Sequence, residues 1–145
     1  MATDSSFLNF NNARDSLQIE NMKKIAREGF CPFCPEHLQK YHKPPILKKG
    51  THWTVTPNMY PYEHTRFHFL FITHEHITDS KDLSPDMWSE LHELLQWVIS
   101  EYKIDCGTLL MRSGDMNKTG ATVLHLHAQF VVGSDPAKPV ITRVG

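Results

Sequence analysis

Two short stretches hold most of the residues able to do chemistry. The first is Cys31-Pro32-Phe33-Cys34, with two of the three cysteines in the chain. The second is Leu124-His125-Leu126-His127-Ala128-Gln129-Phe130-Val131-Val132. Histidine is abundant throughout: there are ten, four of them between His64 and His76. A Cys-x-x-Cys pair in a histidine-rich chain points first to zinc held by thiolates and imidazoles, and second to thiol redox chemistry. No strand–helix–strand pattern surrounds the pair, which weighs against redox chemistry. Tetrahedral zinc needs two ligands beyond the thiolates, and spacing alone does not choose them. His37, His64, His68 and His74 all lie close in sequence.

The second stretch reads as a strand. Side chains alternate between faces, so His125, His127 and Gln129 share one face and Leu124, Leu126, Ala128, Phe130 and Val132 line the other. Solvent faces favour Thr, Lys and Glu, so two imidazoles and an amide in a row suggest a site. An imidazole with an ordinary pKa near about 6.5 keeps one nitrogen free at neutral pH and is a competent nucleophile.

The elements that position these residues are legible in outline. Residues 13–28 carry Ala13, Leu17, Ile25 and Ala26 among polar neighbours, with Gly29 as a stop, and predict an amphipathic helix. A short helix follows over Pro35 to Tyr41. His52–Thr56 and Phe67–Ile72 read as strands joined by the proline-held loop Asn58-Met59-Tyr60-Pro61-Tyr62. Pro85 to Tyr102 is the clearest helix: Ser84 caps it, Pro85 suits its first position, and Met87, Leu91, Leu94, Leu95, Val98 and Tyr102 recur at three and four. Thr108–Met111 and Leu124–Val132 complete the strands, with a glycine-containing loop from Arg112 to Thr122 between them. Few crossover helices link the strands, so the expected class is α+β, an antiparallel sheet covered by helices.

The 145 residues predict one domain: a helix over about 13–28, a core over about 30–132 and a tail over 133–145. Lys plus Arg number 15 and Asp plus Glu 16, a formal charge of −1, which argues against a broad nucleic-acid surface. No apolar run is long enough to span a membrane, and the polar opening Met1 to Phe10 lacks a signal-peptide pattern. The expected location is the cytoplasm.

His125-x-His127-x-Gln129, followed by apolar residues, resembles the histidine-triad (HIT) superfamily. It is similar to the branch with glutamine in third place, which includes galactose-1-phosphate uridylyltransferases and some dinucleoside-tetraphosphate phosphorylases. Gly120 and Thr122 stand where that family has its phosphate-loop glycine and small hydroxyl residue. His74-Glu75-His76-Ile77 with Asp82-Leu83-Ser84 resembles the family's strand exit and main helix start. Asn58 to Tyr62 is similar to its nucleoside-binding loop, and Cys31-Pro32-Phe33-Cys34 to its zinc motif. One departure is Met116, nine residues before His125, where the family loop usually carries a glycine preceded two residues earlier by asparagine; Asn117 or Ser113 is then the polar residue available.

The resemblance implies a HIT-like fold, often a homodimer, with a structural Zn²⁺ on Cys31, Cys34, His76 and His125. It assigns His127 as nucleophile on the α-phosphorus of a nucleotide, giving a nucleotidyl-histidine. Gln129 donates to a phosphate oxygen but cannot protonate a leaving group, favouring leaving groups that are stable anions. Asn58, Asn117, Gly120 and Thr122 are the expected substrate-binding residues. The expected activity is a nucleotidyl transferase or hydrolase acting on nucleoside phosphoanhydrides such as diadenosine polyphosphates. The alternative is a nucleotide-binding or regulatory module without turnover.

Among the remaining residues, Trp53, Tyr60 and Tyr62 are candidates for a base pocket or for the core. Trp88 and Trp97 are expected in packing, His92 on the surface and Cys106 in an apolar interior. Arg112 and Lys118 are candidates to neutralise phosphate, though solvated loop cations are the expected reading. The tail from Ser134 to Gly145 carries no motif and is a candidate cover for the site or for a dimer partner.

Overall fold

Alternation along the strands divides one sheet into an apolar and a polar face, and the two faces are covered differently. The structure is a computed structural model describing residues 7–145; residues 1–6, most of the polar opening noted above, lie outside the described residues. Its helices are α1 (Ser16–Glu28), α2 (Pro35–Tyr41) and α3 (Pro85–Glu101). The strands are β1 (Lys48–Lys49), β2 (Trp53–Pro57), β3 (Thr65–Thr73), β4 (Thr108–Met111) and β5 (His127–Gly133). They form a single antiparallel sheet in the order β1-β2-β3-β5-β4. This is the α+β architecture expected from the sequence.

Trp53 and Val55 of β2, Phe69 and Phe71 of β3, and Ala128, Phe130 and Val132 of β5 point to one side. There they meet Met87, Leu91, Leu94 and Val98, the apolar stripe of α3. The Ser84 hydroxyl caps α3 by accepting from the Met87 N–H at 3.2 Å. Glu90 ties the helix to the β1–β2 turn, its carboxylate accepting from the N–H groups of Thr51, His52 and Trp53 at 2.6, 2.7 and 2.9 Å. The intervening residues Thr54, Thr56, His68, His127 and Gln129 necessarily point to the opposite face.

Helices α1 and α2 cover that polar face. Asp15 caps α1 on the Gln18 N–H at 2.8 Å, and Gly29 ends it at φ +75°, a left-handed conformation that suits glycine. Met22 and Ile25 pack with Leu8 and Tyr41 in a second cluster, while Leu38 of α2 packs on Leu70 and Ile72.

Several expectations are corrected. The strand proposed from Leu124 begins only at His127: the Leu124 N–H bonds Phe7 O at 2.6 Å and the Leu126 N–H bonds Ile77 O at 2.7 Å, so loops rather than the sheet take this backbone. Leu17, placed on the buried stripe of α1, is 74% exposed, and Trp88 is 47% exposed. Cys106 is exposed rather than interior, because it lies in the open turn before β4. Trp53 belongs to the core, its indole N–H donating to Met87 O at 2.8 Å. Trp97 packs at the core margin and His92 is exposed, as expected.

His42, which closes α2, gives the fold an acid-sensitive point. It is buried, with Nε2 at 2.7 Å from the Thr56 hydroxyl, and burial holds its pKa down at about 4. The hydroxyl donates onward to Pro45 O at 2.9 Å, so Nε2–H is the donor to Thr56. An unfolded chain takes up this proton below about pH 6.5, whereas the folded chain resists until about pH 4. Stability is therefore complete above pH 6.5 and falls as the pH drops toward 4, at most about 1.4 kcal/mol per pH unit for this one group. Urea unfolding at several pH values should show that slope reduced in His42→Gln, which keeps a donor but does not titrate. An identical slope in both proteins would remove His42 as a cause.

Candidate active site and metal centre

The sheet face under α1 and α2 holds two adjoining sites. Strand β5 and the segment before it bring His125, His127 and Gln129 to this face, while β3 contributes His68 and the loop before it Asn58.

Cys31, Cys34, His76 and His125 converge so that one ligand atom from each lies within 4.8 Å of the others. The Nδ1 atoms of His76 and His125 are 3.1 Å apart. Cys31 Sγ is 3.4 Å from His125 Nδ1, and Cys34 Sγ is 3.4 Å from His76 Nδ1 and 3.7 Å from His125 Nδ1. A tetrahedral ion with metal–N near about 2.1 Å and metal–S near about 2.3 Å has N–N edges of about 3.4 Å and S–N edges of about 3.6 Å. The donor set and its edges fit such an ion. Burial raises the Cys31 thiol and pushes Cys34 up to about 12, so stable thiolates need a cation beside them. His125 is fixed from behind, its Nε2–H donating to Thr73 O at 2.7 Å, which leaves Nδ1 as the ligating nitrogen. Of the histidines near in sequence, His37, His64, His68 and His74 stand outside this cluster.

His127 stands two residues on. Its Nδ1–H donates to His125 O at 2.8 Å, so Nε2 keeps its lone pair. Burial holds its pKa down at about 4, with the positive charge of Arg112 adding to the effect, so the imidazole is neutral at pH 7. Phe33, from within the Cys-x-x-Cys turn, stands edge-on to it with ring centroids 5.1 Å apart. The metal-ligating turn thus also sets one wall around His127.

Gln129 is oriented by His68, which the sequence suggested only as a rival zinc ligand. The Tyr62 N–H donates to His68 Nδ1 at 3.1 Å, so the imidazole carries its proton on Nε2. That N–H donates to Gln129 Oε1 at 2.6 Å. The Gln129 NH₂ group is thereby left to serve as a donor. Burial keeps His68 neutral, with a pKa of about 4.

His127 and Gln129 line a cavity of about 400 Å³ together with Asn58, Gly120 and Thr122. The Asn58 side-chain oxygen accepts from the Tyr60 N–H at 2.8 Å, which holds the loop in its turn. Gly120 has φ +83°, and a Cβ there would meet the Arg143 side chain at 3.1 Å. Tyr60 and Tyr62 are wall residues, whereas Asn117 is not part of the lining. Its side-chain oxygen instead accepts from Asn9 Nδ2 at 3.0 Å, tying the loop to the N-terminal segment. Ser113 donates to Asp79 Oδ1 at 3.1 Å, also away from the cavity.

Arg112 is corrected: it is a structural hub rather than a solvated cation. Its guanidinium donates to Thr119 O at 2.8 Å, Tyr62 Oη at 2.8 Å and Thr142 Oγ1 at 3.0 Å, and it lines the cavity. Lys118 is exposed. Arg14 and the tail residues Thr142 and Arg143 also line the cavity, so the tail does cover the site. Neither spacing nor periodicity marked Arg14 and Arg143, because they reach the cavity from opposite ends of the chain.

No family model and no curated protein matches the chain. Solved structures do. A HIT family hydrolase from Clostridium thermocellum is 22% identical, covering 77% of this chain and 96% of that one, with a TM-score of 0.61. A histidine triad nucleotide-binding protein from Candida albicans is 17% identical over 80% of this chain and 85% of its own, with a TM-score of 0.63. A Zn-bound histidine triad family protein from Mycobacterium smegmatis is 18% identical over 79% of this chain and 82% of its own, with a TM-score of 0.58. Among the described residues no helix is long and apolar enough to cross a membrane. The chain has the histidine-triad fold, and on it a Cys₂His₂ cluster beside a neutral imidazole and an oriented amide.

Proposed function

We propose that the protein is a zinc-stabilised nucleotidyl transferase or hydrolase acting on nucleoside phosphoanhydrides, in the glutamine-bearing branch of the histidine-triad proteins. The observation that carries this is His127, neutral and locked with Nδ1–H on His125 O, at a cavity shared with Asn58, Gln129, Gly120 and Thr122. Hydrolase and nucleotide-binding descriptions of structural neighbours support the same class of ligand.

In the first step the Nε2 lone pair of His127 forms an N–P bond to the α-phosphorus. The P–O bond to the bridging oxygen breaks, and its electron pair leaves with that oxygen as an anion. The Gln129 NH₂ donates to a non-bridging oxygen as charge gathers there. No proton is passed to the leaving group, since the amide has none to give. In the second step an oxygen of water or phosphate attacks phosphorus, the N–P bond breaks, and its pair returns to Nε2. Water loses its proton to solvent in this step.

Cys31, Cys34, His76 and His125 would hold Zn²⁺, which supplies a fixed scaffold when bound. His125 then presents its carbonyl to His127 at a set position, and Phe33 keeps its place against the ring. Asn58 is the candidate ribose contact, and Gly120 with Thr122 the phosphate contacts.

Intact-protein mass after brief mixing with diadenosine tetraphosphate, without added phosphate, tests the proposal. An acid-labile adduct of one adenylyl group is expected on the wild-type protein and not on His127→Ala. Nucleotide binding with neither adduct nor product would favour the regulatory module instead.

Gln129→His should shift selectivity toward phosphoramidates with amine leaving groups, because an imidazolium can donate the missing proton. A general acid is worth about 10²–10⁴ in rate, so a gain of at least about tenfold relative to diadenosine tetraphosphate is expected. Parallel kcat/KM measurements on both substrates check this, and an unchanged ratio would refute the leaving-group argument.

A further inference from the structure

The residues lining the cavity include three arginines, Arg14, Arg112 and Arg143, and no aspartate or glutamate. The chain as a whole carries one net negative charge, so this concentration of positive charge is local. Among the described residues the side-chain ion pairs are Lys23–Glu20 and Lys40–Glu28, and none involves these arginines. Apart from the oxygen of Gly145, the last residue of the sequence, their hydrogen-bond partners are neutral side chains and backbone oxygens. Arg14 donates to Tyr60 O at 2.6 Å and lies over the Tyr62 ring at 4.6 Å. Arg112 donates to the hydroxyl of that same tyrosine. Arg143 donates to Asn12 Oδ1 at 2.9 Å, Asn117 O at 2.7 Å and Gly145 O at 3.2 Å.

Holding like charges around one cavity whose lining includes no aspartate or glutamate costs stability, and a bound anion relieves that cost. Arg14 and Arg143 are exposed at the rim with donor hydrogens to spare, while Arg112 is half-buried, held by Thr119 O, Tyr62 Oη and Thr142 Oγ1. One phosphate does not need three guanidinium groups. Moreover, Gln129 cannot protonate what departs, so the charge developing on the leaving oxygen must be balanced by fixed cations.

Building on the transfer reading above, we infer that Arg14, Arg112 and Arg143 form a receptor for the leaving group. The favoured substrates are nucleosides whose α-phosphate is followed by a chain of two or more phosphates, which depart as a polyanion. The arginines come from the segment before α1, the residue just after β4 and the C-terminal tail, so the receptor exists only when both ends of the chain are docked on the sheet.

Calorimetric titration with inorganic tripolyphosphate, and with orthophosphate for comparison, tests the receptor in the wild type, Arg14→Gln, Arg143→Gln and His127→Ala. Tripolyphosphate should bind the wild type at least about tenfold more tightly than orthophosphate, and more weakly as salt is raised. Each arginine variant should lose about five- to tenfold, one charge-assisted contact, while His127→Ala binds as the wild type does. In turnover, Arg14→Gln should lower kcat/KM more for a donor releasing a nucleoside triphosphate than for one releasing a monophosphate. Arg14 and Arg143 lie at the rim, so circular dichroism matching the wild type will show that their variants fold. Tripolyphosphate affinity unchanged in both arginine variants would overturn the receptor, as would equal affinity for the two anions. Arginine-dependent tripolyphosphate binding in a protein that forms no His127 adduct would support the receptor and overturn only the transfer reading.

Discussion

His127→Ala is expected to lower kcat by at least about 10⁴-fold with little change in nucleotide affinity or zinc content, as removal of a covalent nucleophile does elsewhere. The alanine removes Nε2 and with it the N–P bond on which both chemical steps depend. It removes nothing from the metal cluster, because the contact between the two residues is His127 Nδ1–H donating to a backbone oxygen of His125. That oxygen belongs to the main chain and stays in place. The remaining groups, Gln129 and the arginines, would still bind the phosphates. Steady-state rates on diadenosine tetraphosphate, with equilibrium binding of a non-cleavable analogue, separate the two effects. Retained turnover would end the assignment of His127 as nucleophile.

Cys31→Ser is expected to lose bound zinc and to lower both stability and activity. The serine oxygen is a poor substitute for a thiolate, and Cys31 is buried, so water cannot readily complete the coordination. Metal binding of this type is coupled to folding. This domain has its own apolar core under α3, so the loss should be partial: about 4 kcal/mol, or about 12 °C in Tm for a chain of this length. Activity should fall by about 10- to 100-fold even below Tm, because two supports of His127 depend on the cluster. One is the His125 carbonyl that accepts from Nδ1, and the other is Phe33 in the ligating turn. Metal analysis, thermal unfolding and kcat on one preparation check the chain of cause. Full zinc content in the variant would sink the site, and lost zinc with unchanged kcat would break its link to His127.

The two variants probe different layers. His127→Ala removes chemistry and should leave the frame, whereas Cys31→Ser loosens the frame and should thereby slow the chemistry. Loss of kcat at an unchanged Tm in His127→Ala, beside joint loss of Tm and kcat in Cys31→Ser, is the signature that the metal positions the nucleophile rather than taking part in the reaction.

What was legible in the sequence was what short-range periodicity encodes. Apolar residues at three and four drew α3, and Ser84-Pro85 marked its start because capping and proline geometry are local. Period-two alternation placed His127 and Gln129 on one face and Ala128, Phe130 and Val132 on the other, as β5 has them. The Cys-x-x-Cys pair named its own chemistry, since two thiols at that spacing are suited to a tetrahedral ion. The frame α+β followed from the order of these elements, and the likeness of motifs carried the choice of His76 and His125.

Tertiary structure decided everything that depends on distant segments meeting. Leu124 reads as strand, yet Phe7 and Ile77 take the backbone hydrogen bonds on either side of His125. Asn117 looked available for phosphate, but Asn9, brought from the other end of the chain, occupies its side chain. His68 orients Gln129 because antiparallel pairing of β3 with β5 sets them diagonally opposite, a register no local pattern states. Arg112 looked like an isolated loop cation until Tyr62 and the tail closed around it. The amino-acid sequence by itself thus determined the elements, the thiol pair and the imidazole–amide face, because these arise from neighbours within a turn or two. Only the fold determined which nitrogen of each imidazole is free, which polar groups are already engaged, and where the arginines gather. Those properties belong to pairs of residues up to more than a hundred positions apart, whose meeting is set by packing both ends of the chain on one sheet.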